Sequence, residues 1–183
     1  PVIVVLVIIG LLILAVMLMF NRLVRLRNVM RDSWSGVETE LKRRHDLVPN
    51  LVSAVRGYMK FEKQVLENVT KVRAKAARTQ QDPEQQGRTE SELSQNLSTM
   101  FAVSENYPDL QASAHFKALQ EELVRTEDRI QSARRFYNGN VRDYNVRCQS
   151  VPTNVIAGIF GFKEAKYFEI ENSAERSKPE VGL

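Results

Sequence analysis

Residues 2–20 read VIVVLVIIGLLILAVMLMF and contain no charged or strongly polar side chain. Four arginines, Arg22, Arg25, Arg27 and Arg31, follow at once. At ~1.5 Å rise per residue, a helix of this run reaches roughly 28 Å, about the thickness of a bilayer's hydrocarbon core. Every face of the run is apolar, so it lacks the single stripe of a half-buried surface helix. A signal peptide has a basic start, a shorter apolar core and a small-residue cleavage site. Here the basic residues follow the core, and no Ala-x-Ala-like site precedes them. A retained transmembrane anchor is therefore expected. Lys/Arg lie on its C-terminal side, which predicts an N-terminus outside the membrane and the bulk of the chain in the cytoplasm.

The net charge of +4 is uneven, because residues 21–44 hold seven Lys/Arg against three Asp/Glu and the rest is balanced. A nucleic-acid binder carries its basic patch on the folded body, so no nucleic-acid partner is expected. The excess lies next to the anchor, where anionic headgroups attract it. Ordinary positive-inside topology accounts for most of that pattern. Arg22, Arg25, Arg27 and Arg31 are the first lipid-proximal candidates.

Beyond the anchor the periodicity is helical and strand-like alternation is nearly absent, which predicts an all-α fold. Leu23, Leu26, Met30, Trp34, Val37 and Leu41 continue without a breaker from the apolar run, so one helix is expected over about 2–45. Leu51, Val55, Tyr58, Val65, Val69, Val72 and Ala76 predict a second helix over 49–80. Pro49 would sit in its first turn, where a missing N–H is harmless. Residues 89–106 fit a third helix, after a polar linker QQDPEQQG at 80–87. NYPDL at 106–110 reads as a tight turn, since Pro108 disfavours helix for Tyr107. Phe116, Leu123, Ile130, Tyr137 and Tyr144 repeat every seven residues and predict a coiled-coil-like helix over 113–147. Four helices with short turns imply an antiparallel, up-down four-helix bundle over 21–150. In that arrangement RRHDLVP (43–49) and NYPDL would meet at the tip distal to the membrane.

The stretch VPTNVIAGIFGF (151–162) has no charge until Lys163. Three readings stay open for 151–170: a short helix capping the bundle near the membrane, an amphipathic segment dipping into the headgroup boundary, or contact with a partner subunit. Ile159, Phe160, Phe162 and Lys163 join the lipid-proximal candidates. Residues 171–183 form a polar tail.

Little here points to catalysis. Cys148 is the only cysteine, so no internal disulfide framework exists. His45 and His115 are preceded at the Glu-x-x-His spacing by Lys42 and Ala112, which argues against a di-iron bundle site. His45 beside Asp46 is a neighbour pair that more often caps a helix end than catalyses. No catalytic residue, cofactor or metal ligand is expected.

The stretches NRLVRLRNVMRDSWSGVETELKRRHDLVPNLVSAVRGYMKFE, ENYPDLQASAHFKALQEELVRTEDRIQSARRFYN, VRDYN and FGFKEAKYFE together resemble the LemA family, in order and over most of 21–169. The resemblance implies a single-pass protein of the bacterial cytoplasmic (inner) membrane with an antiparallel helical bundle. It also implies a scaffold, adaptor or membrane-organising role, with a membrane metalloprotease or other envelope protein among possible partners.

Two functions fit these features. The first is a non-enzymatic scaffold that self-associates and organises or remodels membrane lipid. Gly10 and Ala15 are five residues apart, so no small-xxx-small pair drives anchor pairing, and a homo-oligomer would form through the soluble helices. The second is an adaptor whose distal tip, with Arg43, Arg44, His45, Asp46, Tyr107 and Asp109, recruits a protein partner.

Overall fold

A computed structural model describes residues 2–79 and 82–170, and these are helical apart from turns and one extended segment. The helices are α1 (Val2–Arg56), α2 (Lys63–Ala76), α3 (Pro83–Ser104), α4 (Pro108–Ala112), α5 (Ala114–Gln149) and α6 (Thr153–Phe160). The described residues form two compact units, 2–36 with 135–167 and 37–134 with 168–170.

In the second unit α1 does not stop near residue 45. It runs through RRHDLVP to Arg56, with Pro49 inside it. The cause is a buried stripe that never breaks: Val37, Leu41, Arg44, Val48, Val52 and Val55 recur at three- and four-residue steps. An internal proline removes the bond to the carbonyl four residues back, here that of His45. Arg73 Nε on α2 donates to this freed carbonyl at 2.8 Å. The expected turn at 46–49 is therefore absent, and the chain reverses at 57–62 instead. Tyr58 and Met59 there donate their N–H groups back to the Val55 carbonyl.

Helix α2 is accordingly shorter than the expected 49–80, and it buries Leu66, Val69, Val72 and Ala76. Helix α3 begins six residues before the expected 89. Asp82 caps it by accepting from the Glu84 N–H, and Pro83 occupies the first turn. Its buried stripe is Gln86, Glu90, Leu93, Leu97, Met100 and Ser104, a polar half followed by an apolar half. Residues from α1, α2, α3, α4 and the first turns of α5 share one apolar core, from Val48 to Leu123. Gly87 is required by a close approach: a Cβ there would collide with the Glu169 carbonyl oxygen and lie 2.9 Å from its carbon. Phe168 and Ile170, flanking Glu169, are buried, and Arg134 Nη1 donates to the Ile170 carbonyl at 3.2 Å.

The first unit holds residues 2–20 as helix, and none of the most apolar window is buried. Leu23, Tyr144, Cys148, Ile156, Ala157 and Phe162 make its core, with Met19, Phe20, Leu26 and Met30 packed against them. Helix α6 ends on Gly161 at φ 69°, a left-handed cap that suits glycine, and the Phe162 N–H returns to the Ala157 carbonyl at 2.9 Å. The chain then runs extended along α5. Tyr144 Oη donates to the Lys163 carbonyl at 2.9 Å, Asn145 Nδ2 to that of Ala165 at 2.9 Å, and Tyr137 Oη to that of Lys166 at 2.9 Å. Asn145 Oδ1 also accepts from the Ala165 N–H. An extended segment off a sheet needs such partners for its backbone groups, and α5 side chains supply them. Burial lifts the Tyr144 phenol to about 12, helped by its contact with the Cys148 thiol, while the nearby Arg27 and Arg31 oppose the rise. Burial also raises the Cys148 thiol.

Residues 171–183, read from sequence as a polar tail, lie outside the described residues.

Candidate membrane-facing site

The end of the apolar run, α6 and the last turns of α5 converge in the first unit. Phe20, the last residue of the run, lies 4.8 Å from the Phe160 ring and 5.6 Å from the Phe162 ring. Arg27 stacks over Phe162, 4.8 Å from its centroid, a cation–π contact. Phe162 is therefore buried, holding the segment to α1, whereas Val155, Ile159 and Phe160 leave an apolar face uncovered, Phe160 being 53% exposed. Lys163 is exposed at the end of this face. Among the lipid-proximal candidates, Arg22, Arg25 and Arg31 are exposed on α1, and Arg27 is half-buried.

Next to this face is a groove of about 700 Å³ lined by Leu18, Met19, Asn21, Arg22, Arg25 and Leu26 of α1, Arg147 of α5 and Thr153 of α6. Arg22 and Arg25 share a helix face at i, i+3 spacing. Thr153 Oγ1 donates to the Arg147 carbonyl at 2.6 Å and ties α6 to the end of α5. Arg147 carried no signal in the sequence, because a cation in the last turn of a helix is commonplace. Only the return of α5 to α1 brings it here.

The six residues expected at an exposed tip are placed differently. Arg43 is exposed with its Nε 3.6 Å from Glu40, and Asp46 lies 3.9 Å from Arg73. Arg44 and His45 are buried, Arg44 at 0% exposure. Arg44 Nη2 donates to Ser94 Oγ at 2.7 Å, and its Nη1 lies 3.2 Å from Glu127 and 3.5 Å from Glu90. Glu90 Oε1 meets His45 Nε2 at 2.8 Å and accepts from Gln86 Nε2 at 2.6 Å. This network fills the polar half of the α3 stripe. Burying an ion costs several kcal/mol, and a pair recovers that only with further hydrogen bonds, which Ser94 and Gln86 provide. Tyr107 opens α4, with Asp109 exposed in its first turn. Tyr107 Oη reaches Glu62 Oε1 at 3.4 Å, so NYPDL meets the 57–62 turn, and Val48 and Leu110 share the apolar core. Partial burial, with the charge and hydrogen bond of Glu62, raises the Tyr107 phenol.

Magnetosome protein MamQ 2 of Paramagnetospirillum magneticum is 40% identical over 73 residues, 40% of this chain and 27% of that protein. MamQ of Magnetospirillum gryphiswaldense is 38% identical over 72 residues, 39% of this chain and 26% of its own length. The chain thus spans about a quarter of these magnetosome relatives. Protein LemA of Metamycoplasma hominis is 25% identical over 165 residues, covering 86% of this chain and 75% of that protein. The LemA family model matches residues 33–182. On that match, the chain belongs to the LemA family.

Proposed function

We propose that this protein is a non-catalytic membrane scaffold: a single-pass anchor carrying an up-down helical bundle in the cytoplasm of a bacterial cell, which self-associates and organises the surrounding inner membrane. One observation carries this reading. Helix α6 packs Phe160 on Phe20 while Val155 and Ile159 stay exposed, which supports a second apolar element at the level where the anchor would leave the membrane. A short helix with an apolar face and a terminal lysine is suited to the headgroup boundary. Self-association is supported by α5. Phe136 and Val146 are 64% and 53% exposed. At about 100° per residue they and Gly139 fall within one arc of roughly 80°, a stripe suited to a second copy. The relation to magnetosome proteins supports a role at a membrane.

The adaptor alternative rests on six residues in two turns expected to adjoin at the distal tip. Two of those residues are buried and four lie within a continuous helix, so the scaffold reading is preferred.

The test is reconstitution of the full chain into liposomes, followed by imaging of the vesicles and sizing of the protein in native lipid. The wild type should cluster and alter vesicle shape. Ile159→Asp with Phe160→Asp should abolish the shape change while the protein stays membrane-bound. Monomeric protein on unaltered vesicles would overturn the proposal.

A further inference from the structure

The groove beside α6 has a property that topology does not require. Positive-inside placement concerns cations flanking an anchor. It explains Arg22 and Arg25 but not Arg147, which is more than a hundred residues downstream and enters from another helix. Among the described residues, no carboxylate lines the groove, and none of the three arginines is in an ion pair. Three guanidiniums facing one space repel each other unless an anion lies between them. A guanidinium offers a planar fork of donors that matches phosphate oxygens, often in pairs. The apolar lining is equally directional. Leu18, Arg22 and Arg25 stand at i, i+4, i+7 on one stripe of α1, and Leu18 belongs to the apolar run. A ligand along that stripe meets hydrocarbon at one end and cations at the other.

We propose that this groove is a binding site for an anionic glycerophospholipid. Arg22, Arg25 and Arg147 hold the headgroup phosphate, and an acyl chain follows Leu18 and Met19 down the anchor. The volume of about 700 Å³ suits a headgroup with its glycerol backbone. Arg27 takes no part, because Phe162 occupies its guanidinium face. The inference rests on the anchoring reading above.

The test uses the full chain, delipidated in a neutral detergent and titrated with phosphatidylglycerol, phosphatidylcholine and soluble glycerol phosphate, with bound lipid counted by native mass spectrometry. Phosphatidylglycerol should bind at least tenfold more tightly than phosphatidylcholine. Arg147→Ala should weaken it by about ten- to a hundredfold, the range for lost charge-assisted hydrogen bonds. Arg147→Lys should recover part of that. Arg142→Ala removes an equal charge from α5 outside the groove and should change binding less than twofold. Arg22→Ala provides a second groove variant if Arg147→Ala loses helicity by circular dichroism. Equal loss from Arg142→Ala and Arg147→Ala would reduce the site to diffuse charge and overturn the proposal. Equal binding of phosphatidylcholine would overturn it too, as would glycerol phosphate competing at matched concentration. Flotation with liposomes separates the two readings: protein that floats with every lipid yet shows no Arg147-dependent preference defeats this site alone, and protein that never floats defeats the anchoring.

Discussion

Gly87→Ala is the substitution on which the packing of the second unit can be judged most sharply. Helix interiors favour alanine over glycine by about 1 kcal/mol, so propensity alone predicts stabilisation. The structure predicts the opposite, since the new methyl would enter the space of the Glu169 carbonyl. Two responses are open to the chain. The 168–170 segment can shift while staying docked, and overpacking of that kind costs roughly 1–3 kcal/mol. It can also let go, exposing Phe168 and Ile170 and losing the Arg134 bond. Release would cost roughly 1.5–3 kcal/mol for each side chain. Shifting is the cheaper response, and after the propensity gain the net loss should be about 0–2 kcal/mol. Gly36→Ala supplies the control, because a Cβ at Gly36, also within a helix, meets nothing within 4 Å. It should stabilise by about 0.5–1 kcal/mol. Denaturant unfolding of the full chain in micelles, followed by circular dichroism, gives both values. Hydrogen exchange should quicken at 168–170 in the Gly87 variant alone. If both variants proved equally stabilising, α3 would not approach that carbonyl and the packing described here would be wrong.

Glu90→Gln should cost toward the low end of roughly 3–5 kcal/mol, because Glu127 still faces the buried Arg44; a chemical-unfolding loss under about 1 kcal/mol would refute the network. Arg73→Ala should cost about 1 kcal/mol by orphaning the His45 carbonyl, and most of that cost should vanish in a Pro49→Ala background, where residue 49 regains an N–H. A double-mutant cycle showing no coupling would sink that account. Tyr144 is held protonated, with its folded value near 12 above the ordinary 10. The folded state thus keeps a proton the unfolded chain releases, so its stabilisation is complete below about pH 10 and fades as pH rises through 12. Absorbance titration should find that Tyr144→Phe removes the last tyrosine to ionise, and a simultaneous titration of all five would count against burial of its hydroxyl.

Much of this architecture was legible in the order of residues. Unbroken hydropathy announced the apolar start of α1, and a seven-residue repeat of large side chains announced α5, because both signals are local and repeat along one helix. Two helix limits were misread for a shared reason. Arg44, His45, Gln86 and Glu90 are polar residues on buried stripes, so their periodicity looked like an end of helix when it was a core. Each meets a partner on another helix, Ser94 and Glu127 for Arg44, Glu90 for His45 and the Ala76 carbonyl for Gln86, and no single segment carries that information. Pro49 followed the same logic, since its cost depends on whether an Arg73 is within reach. The extended 162–170 segment had no period to detect; its backbone is bonded by Tyr137, Tyr144 and Asn145 of α5. Periodicity and charge alone were enough to indicate a helical protein whose first helix is long and apolar enough to cross a membrane. Where its polar groups pair, and that Arg147 joins Arg22 and Arg25 in one groove, depended on which helices meet, because burial and convergence of charge are properties of neighbours distant in the chain.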